Sequence, residues 1–179
     1  MAEMLGSHEP LDPNWITGFV DGEGCFSLYA YHRSRKSKSP NATAEFSIQL
    51  REDDKEVLLG FQRFFGCGTV AACSRQKMRD EGHPNARDQV SFKVRKIDDL
   101  VAKVIPHFDQ YLPRSKKLTD YLIWREGVMI LEARYLWYRT RRNTKEARKI
   151  MLAKFLELSS DLREGRNPGL RRSPHDMVA

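Results

Sequence analysis

Asp21 and Glu23 stand two residues apart, bracketed by Gly22 and Gly24, at the end of the stretch LDPNWITGFVDGEG, residues 11–24. A helix C-terminus carries partial negative charge, so acids placed there are disfavoured locally. Backbone carbonyls of that helix end, Gly22's among them, could join Glu23 or Asp21 in an oxygen-rich seat for a hard divalent cation. A plainer reading makes Gly24 the residue that stops the helix, with both acids solvated beside it. Two familiar sites are excluded. An EF-hand loop would need Asp or Asn where Cys25 sits and glycine where Phe26 sits, and a phosphate-binding loop would need Gly-Lys-Ser/Thr.

The acids are positioned by a short predicted helix. Asp12 suits its N-cap, and Pro13 suits the first helical position, where a missing N–H costs nothing. Trp15, Ile16, Phe19 and Val20 share a face, while Gly18 and Gly22 lie four apart on a bare stripe. Each glycine inside a helix costs about 1 kcal/mol against alanine. Two at that spacing call for close approach of another backbone.

Beyond Gly24 the pattern becomes that of strands. Residues 25–31 alternate, with Phe26, Leu28 and Ala30 inside; residues 43–51 alternate again, with Ala44, Phe46, Ile48 and Leu50 inside. The basic, turn-rich segment 32–41 joins them as a hairpin tip. Asp53 followed by Glu56 has the form of a capping box opening a helix, and Gly66 closes it. Val57, Leu58, Phe61, Phe64 and Phe65 mark its buried face. The scheme then recurs: a strand near 68–74, the basic loop 74–87, a strand at 88–95, and a helix from Asp98 that Pro106 is expected to limit. Helical pattern resumes from Ser115 to about Tyr138 and from Thr144 to Leu162. The predicted fold is α+β, αββαββα, an antiparallel sheet with helices on one face and further C-terminal helices at 119–162.

A chain of 179 residues suffices for one domain with a real core, assigned to residues 11–162. Residues 1–10 lack an apolar signal core, and their Gly-Ser-His is read as a flexible end or cloning remnant. Residues 163–179 have the composition of a disordered basic tail. Three cysteines without CxxC spacing fit a reducing interior, a bacterial cytoplasm or an organelle, and argue against structural zinc. No apolar run approaches the length of a membrane span. The net charge of +7, from 31 Lys+Arg against 24 Asp+Glu, favours a polyanionic partner.

The side chains that alternation turns away from the core sharpen this. Ser27, Tyr29, Tyr31, Arg33, Thr43, Ser47, Gln49, Arg51, Arg75, Gln89, Ser91, Lys93 and Arg95 face outward, with Arg35, Lys36, Lys77 and Arg87 on the flanking loops and Glu45 as the lone acid. Long, hydrogen-bonding and mostly cationic groups suit gripping phosphates and reading base edges. A strand of this length spans about 25 Å, about seven base pairs, so two copies end to end with their loops added would cover a duplex of about 20 base pairs.

Ile16-Thr17-Gly18-Phe19-Val20-Asp21-Gly22-Glu23-Gly24 resembles the signature of the LAGLIDADG homing endonucleases, and the strand–strand–helix doubling behind it is similar to theirs. So are FFGCGTV after the second helix and Leu112-Pro113-Arg114-Ser115-Lys116-Lys117 at the opening of a later one. The resemblance covers residues 11–125. It implies that signature helices pack together through Trp15, Gly18, Phe19 and Gly22, making a homodimer from a chain with one signature. It also implies that Glu23 binds Mg²⁺ at the scissile phosphate; Mn²⁺ or Ca²⁺ would take the same seat, Ca²⁺ without cleavage. Lys116 and Gln49 are the implied catalytic partners of Glu23, with Asp21, Arg51 and Lys117 as secondary candidates. Here Glu replaces the signature's second Asp, and Thr17 and Gly22 replace its two alanines.

The function expected is site-specific, Mg²⁺-dependent hydrolysis of double-stranded DNA at a long, near-palindromic target, as in intron homing. The alternative is a non-cleaving binder of the same fold, an intron maturase or a transcription regulator. A sheet that stacks RNA bases would need more outward aromatics than Tyr29 and Tyr31.

Overall fold

The computed structural model describes residues 10–32, 40–140 and 144–165, with side chains of 137–140 left aside. The expectations for Arg33, Arg35, Lys36, residues 1–9 and residues 166–179 fall outside these residues, while residues 163 and 164, expected in the tail, are helical.

Asp12 caps helix α1 (Pro13–Glu23), accepting from the backbone N–H of Asn14 and Trp15 at 2.9 Å each. Strand β1 (Gly24–Tyr31) follows without a loop, then β2 (Asn41–Arg51), a 3₁₀ turn (Glu52–Asp54) and α2 (Lys55–Phe65). The second round comprises β3 (Thr69–Cys73), a short α3 (Gln76–Asp80) and β4 (Gln89–Val94). Helical structure then runs through α4 (Ile97–Asp99), a π segment (Leu100–Val104) and α5 (Ile105–Gln110), ahead of α6 (Lys117–Thr140) and α7 (Lys145–Glu164). The strands form one antiparallel sheet in the order β1-β2-β4-β3.

Two local expectations are corrected. The capping box does not form: α2 starts at Lys55 without a side-chain cap, and Asp53 pairs with Arg51 instead. Pro106 does not end its helix either. The π segment widens the turn ahead of it, and the proline enters the first turn of α5, where its missing N–H is harmless.

A single cluster of buried side chains extends from Ile16 to Leu162. Its centre is aromatic: Phe26 packs against Phe46, Phe108, Tyr121 and Trp124, with ring centroids 4.9–5.4 Å apart. Leu58, Phe61 and Phe65 are buried as expected, whereas Val57 and Phe64 are half-buried. Gly127 lets α6 lie directly on β1, since a Cβ there would stand 2.5 Å from a methyl of Leu28. Along the β1 edge the Leu28 carbonyl accepts from Ser159 of α7 at 3.0 Å, which satisfies a backbone group the sheet leaves unpaired.

One polar contact in this core is pH-sensitive. The Thr17 hydroxyl donates to the Tyr111 carbonyl at 3.0 Å, so it accepts from His107 Nε2–H at 3.2 Å. Burial among Phe64, Phe65, Phe108 and Tyr111 lowers the imidazole pKa from 6.5 to about 4. The folded chain therefore binds fewer protons here than the unfolded chain, and this contribution is complete above pH 6.5 and lost as pH falls toward 4. The loss should reach about 3 kcal/mol. Urea midpoints at pH 7 and pH 4.5 should converge in His107→Phe relative to the native chain; an unchanged pH difference would refute the assignment.

Candidate nucleic-acid interface and acidic helix end

The helices cover one side of the sheet, and on the other side Tyr29, Tyr31, Gln49 and Arg51 are exposed among the described residues. Strand pairing arranges its outward side chains in rows: Cys25, Ser47, Lys93 and Thr69 in one, Gln49, Ser91 and Ala71 in the next, then Arg51, Gln89 and Cys73. On the other side of the first row lie Ser27 beside Glu45, then Tyr29 beside Thr43 and Tyr31 beside Asn41. Thr69, Ala71 and Cys73 are members of this face that the sequence does not reveal. The run TVAAC is short and apolar, so its alternation carries no polar signal.

Facing outward does not guarantee exposure. Tyr29 and Tyr31 are 46% and 52% exposed, but Ser27 and Ser91 are 2% exposed each. Ser27 and Ser91 share the register of this face but are buried in it. Gln49 donates to the Gln89 side-chain oxygen at 2.5 Å, and that oxygen also accepts from Arg75 Nε at 2.8 Å. Gln49, Gln89 and Arg75 thus form one hydrogen-bonded group. Ser47 is half-buried, Lys93 has no ion pair among the described residues, and Arg95 pairs with Glu45.

The loop between β3 and β4 is clasped by an acid. Asp88 accepts from the Arg75 backbone N–H at 2.7 Å and from Arg79 at 2.9 Å, which holds its carboxyl below the usual range. Lys77 and Arg87 project from this loop into solvent, Lys77 in an i,i+4 pair with Glu81. The sequence assigns Arg79 no role, because Ala86 and Asp88, to which it donates besides Gln76, come from the far end of the loop.

At the end of α1, Asp21 and Glu23 have different surroundings. Asp21 accepts from the backbone N–H of Arg114 at 2.9 Å, that of Ser115 at 3.3 Å, and the Ser115 hydroxyl at 2.8 Å. It clamps the segment that leads into α6. The Ser115 oxygen in turn accepts from the Lys117 N–H at 3.1 Å, and the Lys117 ammonium donates to the Gly24 carbonyl at 2.7 Å. Lys117 therefore stands at the acidic helix end, while Lys116 is exposed and makes no hydrogen bond to that end through its side chain among the described residues. Glu23 is exposed and has no hydrogen-bond partner among the described residues. Because Gly24 pairs with Ile48, Glu23 and Gln49 leave the β1–β2 ladder at the same end. Arg51, a further two residues on, is tied to Asp53.

The outer face of α1 is apolar and uncovered. Trp15 is 45% exposed and packs against half-buried Phe19, ring centroids 5.1 Å apart and tilted at 34°. A Cβ added at Gly18 or Gly22 would meet nothing within 4 Å, whereas one at Gly24 would stand 2.4 Å from Val20. Gly24 is required by its own chain; Gly18 and Gly22 are not.

An open antiparallel sheet with a cationic outer face, helices behind it and a free carboxylate at a helix end defines a sheet-platform fold. The family profile described as LAGLIDADG endonuclease matches residues 16–128, and the chain belongs to that family. A "probable intron-encoded endonuclease 2" of Neurospora crassa is 32% identical over 122 residues, covering 68% of this chain and 25% of its own length. A "probable intron-encoded DNA endonuclease 1" of Mycosarcoma maydis is 26% identical over 155 residues, covering 78% and 51%. Among solved structures, the LAGLIDADG homing endonuclease I-GzeII in complex with its DNA target is 25% identical with a TM-score of 0.61, over 84% of this chain and 43% of its own. I-SmaMI, bound to an uncleaved DNA target in the presence of calcium ions, has the same fold at 21% identity and TM-score 0.65, over 90% and 47%. The chain thus spans a quarter to about half the length of these relatives.

Proposed function

We propose that this chain is one half of a site-specific double-stranded DNA endonuclease, with residues 11–162 forming one domain that pairs as a homodimer through α1. The carrying observation is Glu23: exposed and unpartnered among the described residues, it tops a helix with an uncovered Gly18/Gly22 stripe and borders the cationic sheet. The intron-encoded names of the relatives support a homing role inside a reducing compartment, and the free cysteines accord with it. The partner is a duplex of about 20 base pairs, from the strand length doubled with the flanking loops added.

The residues fit a shared cation site. No group of three His, Cys, Asp or Glu gathers among the described residues, and at this helix end each chain brings one carboxylate without a partner, Glu23. Mg²⁺ keeps several waters and takes one or two carboxylates plus phosphate oxygens, which suits a Glu23 from each of two copies with the Gly22 carbonyl behind it. When bound, such an ion lowers the pKa of water and stabilises the leaving oxygen. Without it, two carboxylates at one axis would repel. Lys117, anchored on Gly24 and keeping further N–H donors, is better placed than Lys116 to stabilise charge on the scissile phosphate. Gln49, on the same side, orients the nucleophilic water or the phosphate.

Duplexes selected from a randomised library should be cut on both strands with a stagger once Mg²⁺ is added, and bound without cutting in Ca²⁺. Tight, selective binding with no cutting in Mg²⁺ or Mn²⁺ would favour a maturase-like binder instead. Lys117→Ala should slow cutting by about a hundredfold at unchanged DNA affinity, and Lys116→Ala by much less. Equal single-turnover rates for the two variants would remove Lys117 from the site.

A further inference from the structure

Among the described residues the outward positions of the four strands carry one acid, Glu45, and it is buried. Glu45 sits in the middle of β2 with 4% of its surface exposed, beside Ser27 of β1 at 2%. Its carboxylate accepts a hydrogen bond from Nε of Arg95, which follows β4 directly and keeps 65% of its side chain in solvent. A buried carboxylate among cations on a surface meant for a polyanion is unfavourable unless it organises something. The group it touches is the exposed guanidinium.

We propose that Glu45 is a positioning residue that fixes Arg95 as a reader of guanine; the inference rests on the DNA-recognition reading above. Arginine offers five N–H donors in a rigid fork. With Nε held from below by Glu45, the outer edge carrying the two amino groups is the one presented to the groove. That edge matches the O6 and N7 acceptors of guanine, the commonest specific major-groove contact. Charge supports a base contact over a phosphate contact. The Glu45–Arg95 pair is net neutral and adds little to counterion release, whereas Lys93, on the same face without an acidic partner among the described residues, carries a full charge. The two cations divide the work: Lys93 grips backbone, and Arg95 reads sequence.

The test is base preference at each position, measured by selecting bound duplexes from a randomised library and titrating the winners against salt. The native chain should show one position, repeated in each half-site, at which guanine is preferred. In Arg95→Lys that preference should fall about ten- to a hundredfold with other positions unmoved, since lysine keeps the charge but not the fork. Glu45→Gln should weaken the same preference while steepening the salt dependence by about one ion per half-site, because a positive charge is unmasked. Lys93→Ala should do the reverse, flattening the salt dependence at intact preference. Arg95 is exposed, so Arg95→Lys remains informative even if Glu45→Gln destabilises the fold. Retained guanine preference in Arg95→Lys, or relaxation at different positions in the two variants, would overturn the proposal. A native chain that binds duplex tightly without preferring any base would overturn it while leaving backbone binding standing. A native chain that binds no duplex would overturn the DNA reading as well.

Discussion

Glu23→Gln is expected to abolish strand cutting and spare DNA binding. The substitution keeps the length and shape of the side chain and removes only its charge. Since Glu23 is exposed and accepts no hydrogen bond among the described residues, no folding contact is lost. What disappears is the carboxylate available to a cation, worth several kcal/mol in the transition state, or about a thousandfold in rate. Gel-shift affinity in Ca²⁺ and single-turnover cutting in Mg²⁺ measure the two quantities separately. A Glu23→Gln chain that cuts at the native rate would end the assignment of Glu23 as a metal ligand. Asp21→Asn is the informative contrast. Asp21 holds the Arg114–Ser115 backbone, so its loss should lower thermal stability as well as rate.

That contrast marks where the sequence stops being readable. Asp12 and Pro13 announce the start of α1 because capping is a local matter, settled within three residues. Alternation in β1, β2 and β4 announces the sheet for the same reason. Asp21 is legible only as an acid near a helix end: its partners lie 93 and 94 residues further along the chain. The choice between Lys116 and Lys117 depends on how α6 is rotated against β1, which Gly127 and Leu28 set by packing. Alternation likewise tells which way Ser27 and Ser91 point, but not that they are buried. The missed capping box has a similar cause, since Arg51 draws Asp53 away. In each case a local preference is outweighed by a contact that exists only once the chain is folded.

Gly18→Leu should leave the folded chain intact and destroy its assembly. A Cβ at this position meets nothing within 4 Å, and leaving out glycine improves helix propensity by about 1 kcal/mol, so the melting temperature should hold or rise. The other constrained glycines behave oppositely: at Gly68, with φ +86, or at Gly127 a side chain would strike Phe92 or Leu28. Two glycines kept in a helix at a cost, with no internal reason, point to a second backbone approaching from outside, and exposed Trp15 beside them supplies the apolar contact. A leucine at the crossing point would hold the two helices apart by more than van der Waals contact allows. Sedimentation should then report a monomer where the native chain is expected to be a dimer, and cutting of both strands should fall with it. A Gly18→Leu chain that still sediments as a dimer would place the interface elsewhere, and with it the meeting of the two Glu23 side chains.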